Sequence, residues 1–172
     1  PDAYDAPHNR WGLADLPIIP DKWKMTVKPR TASQYKAVKR LLGEADELVI
    51  ATDADREGEM IARELVEHCR YRGPIRRLWL SALDDASIRK ALAALKPGAE
   101  TFSLYHSALG RSRADWLIGM NMSRLFTLLG RQSGYQGVLP VGRVQTPTLR
   151  LVVDRDRSIA DFVPVAYWAI DV

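Results

Sequence analysis

Apolar residues recur along this chain at two different periods, and the changes between them predict its elements. After Thr31 and Ser33, either of which can cap a helix, Tyr35, Val38, Leu41 and Leu42 fall at helical spacing, with Gly43 near the end. Leu48-Val49-Ile50-Ala51 is an unbroken apolar run, the pattern of a strand buried in a parallel sheet. Met60 to Val66 returns to helical spacing, with Ile61, Leu65, Val66 and Cys69 on one side, until Gly73-Pro74 breaks it. Ile75 to Leu80 reads as another strand. Ser81 to Asp85 reads as a connection, and Ala86 to Leu95 as a helix stopped by Pro97-Gly98. Upstream, Asp21 to Lys28 alternates polar and apolar residues, which predicts a half-exposed edge strand ended by Pro29. Pro17 and Pro20 exclude a regular helix from Pro1 to Pro20, so that segment reads as irregular, with Trp11, Leu13 and Leu16 as anchors. Strands alternating with helices predict an α/β fold with a parallel sheet.

From Glu100 the period is helical throughout. Phe102, Tyr105, Leu109, Trp116, Leu117, Met120 and Met122, continued by Leu125, Phe126, Leu128 and Leu129, predict one long helix or two abutting ones. Residues 130–142 hold Gly130, Gly134, Gly137, Pro140 and Gly142 and read as a loop. Val144 to Ser158 reads as a further helix, with Thr146 as its cap and Pro147 at its first position, or with an earlier start at Gly142. Phe162-Val163-Pro164 interrupts, and Val165 to Val172 has strand character.

Charge sharpens this division. Residues 1–98 carry 17 Lys+Arg against 15 Asp+Glu, whereas residues 99–158 carry 8 Arg, no Lys and 4 acids. Arginine forks give directional phosphate contacts, so the helical segment is the better candidate for a nucleic-acid surface. The 172 residues suffice for one good core, or for one domain and part of another. The chain begins at Pro1, which reads as an excised or processed piece. No apolar run is long enough to span a membrane, and no secretory signal is visible. Cys69 is the only cysteine, so no internal disulfide can form, and a reducing compartment fits. His8, His68 and His106 are scattered without zinc-ligand spacing.

Candidate chemistry is densest where the first buried strand gives way to a helix, the edge of an α/β sheet at which ligands bind. Asp53, Asp55, Glu57 and Glu59 follow the apolar run in the string DADREGE. An extended Asp-x-Asp points both carboxylates to one side. A hard divalent cation relieves their repulsion, and Mg²⁺ takes one or two carboxylates together with waters and phosphate oxygens. Glu57, on the first helical turn, can supply a third oxygen ligand or move a proton. The bland alternative is a solvated acidic turn at the positive end of a helix dipole.

Three strings in the helical part add to this. The string from Ala108 to Asn121, ALGRSRADWLIGMN, places Arg111 and Asp115 four residues apart on one helix face, either as an arginine aimed at phosphate and oriented by its acid or as a surface ion pair. Gly134-Tyr135-Gln136-Gly137 offers Tyr135 for stacking on a base, or is a flexible turn. Val141 to Leu149 brings Arg143, Gln145 and Thr146 to a helix start, where free N–H groups suit phosphate, or where they simply cap the helix.

The string from Asp53 to Glu59 resembles the Asp-x-Asp-Arg-Glu-Gly motif of the TOPRIM domain in type IA DNA topoisomerases. The succession DADREGE, SRADWLIGMN and GYQGVLPVGRVQTPTLRLVVDRD, with Pro1-Asp2-Ala3-Tyr4-Asp5 and Leu16 to Pro20, resembles the bacterial topoisomerase III branch of that family over essentially the whole chain. The resemblance implies a Rossmann-like TOPRIM domain over residues 1–98 lacking its N-terminal strand, part of a helical domain for single-stranded DNA over 99–158, and the start of a β-rich gate domain at 159–172. It implies Asp53, Asp55 and Glu57 as catalytic and Mg²⁺-binding, and Arg111, Asp115, Arg143 and Gln145 as residues beside the bound strand. It further implies cutting through a 5′-phosphotyrosyl intermediate, no nucleotide cofactor, a monomeric enzyme, and a cytoplasmic, nucleoid-associated location. The family's Glu-Lys pair finds no match before Asp53. None of Tyr4, Tyr35, Tyr71, Tyr105, Tyr135 and Tyr167 has the family's Tyr-Pro-Arg context, so this stretch by itself is expected to be inactive. A TOPRIM nuclease or primase, and a non-catalytic single-strand-binding module, are the other readings of the same residues.

Overall fold

The computed structural model describes residues 11–170. Within them, packing forms two compact units: residues 19–114, and residues 11–18 together with 115–170. The irregular character expected of residues 1–10 lies outside the described residues, as do Val172 and its neighbour Asp171.

The first unit is α/β, as expected. Helix α1 (Ala32–Glu44) follows a single 3-10 turn at Pro29–Thr31. Thr31 occupies the cap position, yet its hydroxyl donates back to the Lys28 carbonyl at 3.1 Å and makes no cap bond to the helix. Strand β1 (Leu48–Ile50) leads into α2 (Arg56–Cys69), and β2 (Ile75–Arg77) into α3 (Asp85–Ala93). Strands β1 and β2 pair in parallel, Leu48 opposite Ile75 and Ile50 opposite Arg77. A two-residue strand, β3 (Lys96–Pro97), joins β2 antiparallel, so the sheet is small and mixed, in the order β1-β2-β3.

Asp55 and Asp84 cap α2 and α3 by accepting from the Gly58 and Ser87 amides. The Ser87 hydrogen bonds hold the Asp84 carboxyl below its usual range. Helix α2 ends at Arg70, which takes the left-handed conformation (φ 58°) usual for a C-terminal cap, before the expected Gly73-Pro74 break is reached.

Two expectations need correction. Asp21 to Lys28 forms no strand: its alternation marks extended backbone, but among the described residues no neighbouring strand pairs with it. Val165 to Ile170, the described part of the expected final strand, likewise forms no strand, and Trp168 is 96% exposed.

The inward face of α2 also differs from the apolar side read from its sequence. Ile61 is exposed, and the residues turned inward are Gly58, Glu59, Ala62 and Arg63. Glu59 is fully buried between two arginines. Arg77 Nε lies 2.6 Å from its Oε1, Arg63 Nε 3.2 Å from its Oε2, and the Thr101 hydroxyl donates to Oε1 at 3.0 Å. The apolar core around this cluster is small: Ile50, Ala62, Tyr105 and Ala108. The Tyr105 hydroxyl donates to Glu67 at 2.9 Å, and its pKa is pushed up to about 12 by burial, with that bond and the Glu67 charge adding.

The expected run of helix from Glu100 is a single helix, α4 (Phe102–Gln132), whose first part belongs to the first unit. In the second unit, Asn121 on α4 fastens the 11–18 segment. It accepts from the Ile18 amide at 2.5 Å and donates to the Ile18 carbonyl at 3.0 Å. Trp11 lies under the Arg124 and Arg131 guanidinium groups. The final helix, α5 (Gln145–Ala160), leaves Leu149, Leu151 and Val152 exposed. No helix of the described residues is long and apolar enough to cross a membrane.

Replacing Glu59 by Ala leaves Arg77 buried with its charge uncompensated, and such a loss costs about 3–5 kcal/mol. Urea denaturation of Glu59→Ala should show a loss of that order. Glu59→Gln keeps the volume and one acceptor but is also neutral, so it should be destabilising too, for the same uncompensated charge.

Candidate functional site

In the first unit the candidate residues sit on the turn between β1 and α2, and that turn is gripped from two sides. On the helix side, the Gly58 amide donates to Asp55 Oδ1 at 2.7 Å, and the Thr52 hydroxyl donates to the Gly58 carbonyl at 2.8 Å. Gly58 also lies against the Asp53 backbone: a Cβ there would stand 2.2 Å from the Asp53 carbonyl oxygen. Only a residue without a side chain permits this approach. On the sheet side, the buried Arg77 guanidinium donates to the carbonyls of Thr52 at 2.8 Å and Asp53 at 2.5 Å. Sequence reasoning named neither Gly58 nor Arg77 as supports. The available signal was the period of β2, which puts a charged Arg77 on the same face as Ile75.

The carboxylates themselves point to different tasks. Asp53 and Asp55 are exposed, with Asp55 on extended backbone (φ −145°, ψ −179°). One Asp55 oxygen caps α2, which leaves the other for a ligand. Glu57 faces cations of the protein: Arg56 Nε lies 3.0 Å from its Oε1, and Arg111 Nη1 lies 3.5 Å from the same oxygen. Both pairs are about half exposed and therefore weak. Among the described residues no three His, Cys, Asp or Glu come together in a group able to hold a metal ion. The three expected ligands Asp53, Asp55 and Glu57 are thus not gathered into one cluster. Two hard carboxylates at period-two spacing fit a cation that keeps waters or phosphate oxygens in its shell, which is the habit of Mg²⁺.

In the second unit, Asp115 on α4 meets Arg143 at the start of α5, with Arg143 Nε 2.5 Å from Asp115 Oδ1. The loop before Arg143 is held by two α4 hydroxyls. Thr127 Oγ1 accepts from the Leu139 amide at 2.9 Å, and Ser123 Oγ accepts from the Val141 amide at 2.8 Å. Thr146 does not occupy the cap position, which falls at Val144. Its hydroxyl accepts from the Gly142 amide at 3.0 Å, tying the Gly142-Arg143 turn to the first turn of α5. Asp115, Gly119, Arg143, Gln145 and Leu149 line an open cleft of about 730 Å³. Tyr135 follows Gly134, whose φ of +87° is the left-handed turn that glycine supplies. Tyr135 is 47% exposed, enough to offer a ring face for stacking.

A Toprim domain matches residues 4–83, and the family described as DNA topoisomerase matches residues 99–172. The fold and the acidic turn are therefore those of a Toprim domain continuous with a DNA topoisomerase segment. Over 99% of its length the chain is 46% identical to the DNA topoisomerase 3 of Vibrio cholerae and 44% identical to that of Salmonella typhimurium, covering 27% of each. It is 42% identical to the DNA topoisomerase 3 of Bacillus subtilis, again over 99% of the chain, covering 23% of that protein. Its two parts thus match, in order, the Toprim and DNA topoisomerase families, and nearly the whole chain is similar to bacterial DNA topoisomerase 3 proteins. It spans about a quarter of the length of the curated relatives it matches.

A methyl group added at Gly58 must displace either the Asp53 carbonyl or the first turn of α2. Overpacking of this kind costs about 1–3 kcal/mol. Gly58→Ala should lower the thermal midpoint and shift the backbone NMR signals of Thr52 to Asp55. Gly43→Ala, with nothing within 4 Å of the new Cβ, should leave those signals in place.

Proposed function

We propose that this chain is the Toprim and adjoining helical part of a type IA DNA topoisomerase, which cuts one DNA strand, lets another pass and reseals the break. The observation that carries the reading is the match of one continuous chain to both families in order, with Asp53 and Asp55 on the β1–α2 turn of the Toprim part and Glu57 in the first turn of α2. The DNA topoisomerase match over residues 99–172 favours this over a Toprim nuclease or primase.

In the reaction, a tyrosine oxygen attacks the phosphorus of a phosphodiester. An O–P bond forms to the tyrosine, the bond to the 3′ oxygen breaks, and the 3′ oxygen takes a proton as the tyrosine loses one. Resealing reverses each change, so the bond energy is conserved and no nucleotide cofactor is required. Asp53 and Asp55 would hold Mg²⁺, which offsets negative charge around the phosphate when bound. Glu57 is the proton-transfer group, and Arg56 and Arg111 lie against its carboxylate and orient it. Arg111 and Arg143 contact phosphates of a single strand. Asp115 orients Arg143, Gln145 hydrogen-bonds the strand, Thr146 fixes the turn that carries Arg143, and Tyr135 stacks on a base. The working protein is a monomer in the bacterial cytoplasm, associated with the nucleoid.

The chain should bind single-stranded DNA better than duplex, with affinity falling as salt rises. Arg111→Ala and Arg143→Ala should each flatten the plot of log K against log salt by roughly 0.7, the value of one phosphate contact on a single strand. Fluorescence anisotropy at several salt concentrations reads this, and a preference for duplex would overturn the single-strand assignment.

The attacking tyrosine is not among the six in this sequence, since none lies in a Tyr-Pro-Arg context. The 172-residue chain should therefore form no covalent adduct with DNA on a denaturing gel and should not relax supercoiled plasmid. Grafted in place of the matching segment of an intact relative, it should support relaxation, and Asp53→Asn with Asp55→Asn should abolish that.

A further inference from the structure

We propose that Arg77 is the positioning residue of the acidic turn: it fixes the Asp53 backbone so that the Asp53 and Asp55 carboxylates share one cation. The inference rests on the reading of those two residues as cation ligands. Arg77 is fully buried on β2, and its guanidinium reaches five acceptors. One is Glu59. The other four are backbone carbonyls, of Ile50 at 3.2 Å, Thr52 at 2.8 Å, Leu78 at 2.6 Å and Asp53 at 2.5 Å. An arginine that served only to neutralise Glu59 would need the first contact alone. Instead most of the fork is directed at the end of β1 and the residues that continue it into the acidic turn.

The Thr52 and Asp53 carbonyls have left the β1–β2 ladder, so no strand neighbour satisfies them, and Arg77 supplies the missing donors. Asp53 is then held between Gly58 on one side and Arg77 on the other. Glu59 in turn fixes the fork, and it is itself held by Arg63 and the Thr101 hydroxyl. The Trp79 ring lies 5.1 Å from the Arg77 guanidinium carbon and closes the pocket on another side. A lysine could keep the charge beside Glu59 but presents a point donor in place of a planar fork, so it cannot serve Thr52, Asp53 and Glu59 together.

The test is Mg²⁺ titration of the 172-residue chain, read from the backbone NMR signals of Asp53 to Glu57, with Mn²⁺ broadening of the same signals as a second reading. In the unaltered chain both ions should perturb these signals, and Asp53→Asn should abolish the effect. Arg77→Lys should weaken apparent Mg²⁺ affinity by roughly tenfold or more, the usual consequence of losing a group that orients a metal ligand. Tyr105→Phe, which loses the Glu67 hydrogen bond elsewhere in the same unit, should lower the thermal midpoint and leave Mg²⁺ affinity unchanged. If Arg77→Lys does not fold, the double substitution Arg77→Met with Glu59→Gln replaces it. This removes the fork, while in Glu59→Gln the amide oxygen accepts from Arg63 and the amide NH2 donates to the Thr101 hydroxyl, and the same loss of affinity is expected. A folded Arg77 variant that binds Mg²⁺ as tightly as the unaltered chain would falsify the positioning role while leaving the cation site intact. An unaltered chain in which neither ion touches Asp53 to Glu57 would overturn the cation reading and the positioning role with it.

Discussion

The first unit depends on a charge buried in place of an apolar residue. Glu59 lies on the inward face of α2, where a leucine would ordinarily close the core, and it draws Arg77 and Arg63 inward with it. Isolated, any of the three would be prohibitively costly to bury; together, with Thr101, they satisfy one another. The same cluster reaches the end of the chain's first strand, because Arg77 continues from Glu59 to the Thr52 and Asp53 carbonyls. The apolar core beside it is thin, and the polar cluster brings to it a directional geometry that aliphatic packing lacks. Arg63 extends the cluster to the Gly98 carbonyl, just past β3, so sheet, helix and acidic turn are referenced to one carboxylate.

How much of this could be read from sequence follows from the range of the interactions. The run Leu48 to Ile50 and the helix after it are local patterns, and both stand where they were expected. Strand β3 has only Lys96 and Pro97, too short for any period and made of residues that strands disfavour. Asp21 to Lys28 alternates correctly for a strand, but alternation reports extended backbone, while pairing needs a neighbour that no local pattern encodes. At the site, Asp53 and Asp55 were legible because two acids at the end of a buried strand are conspicuous. The direction of Glu57 was not, because it depends on Arg111, 54 residues further along. Glu59 looked like a fourth surface acid; only a partner 18 residues away on β2 turns it inward.

The second unit solves a similar problem with hydroxyls instead of charges. Its loop from Gly134 to Gly142 has no regular backbone pairing, and Thr127 and Ser123 on α4 replace it by receiving the amides of Leu139 and Val141. Thr127 is fully buried, so the price of burying its hydroxyl is met by that bond. Arg143 and Tyr135 can therefore be carried by a glycine-rich loop and still keep defined places. Sequence reasoning gave the glycines of this loop the emphasis, whereas the fixed points are two small polar residues inside a helix that reads as apolar.

Asn121 grips Ile18 across 103 residues of chain. During synthesis at about 5–20 residues per second, the segment around Ile18 leaves the ribosome roughly 5–20 s before Asn121 does. For that interval Trp11 to Ile18 has nowhere to dock, although Ile18, buried in the finished protein, is then open to water. The first unit meanwhile has most of its own elements in hand. Order of emergence thus makes the early segment a late arrival, and a chaperone or protease that acts on nascent chains would meet it before its own partner does.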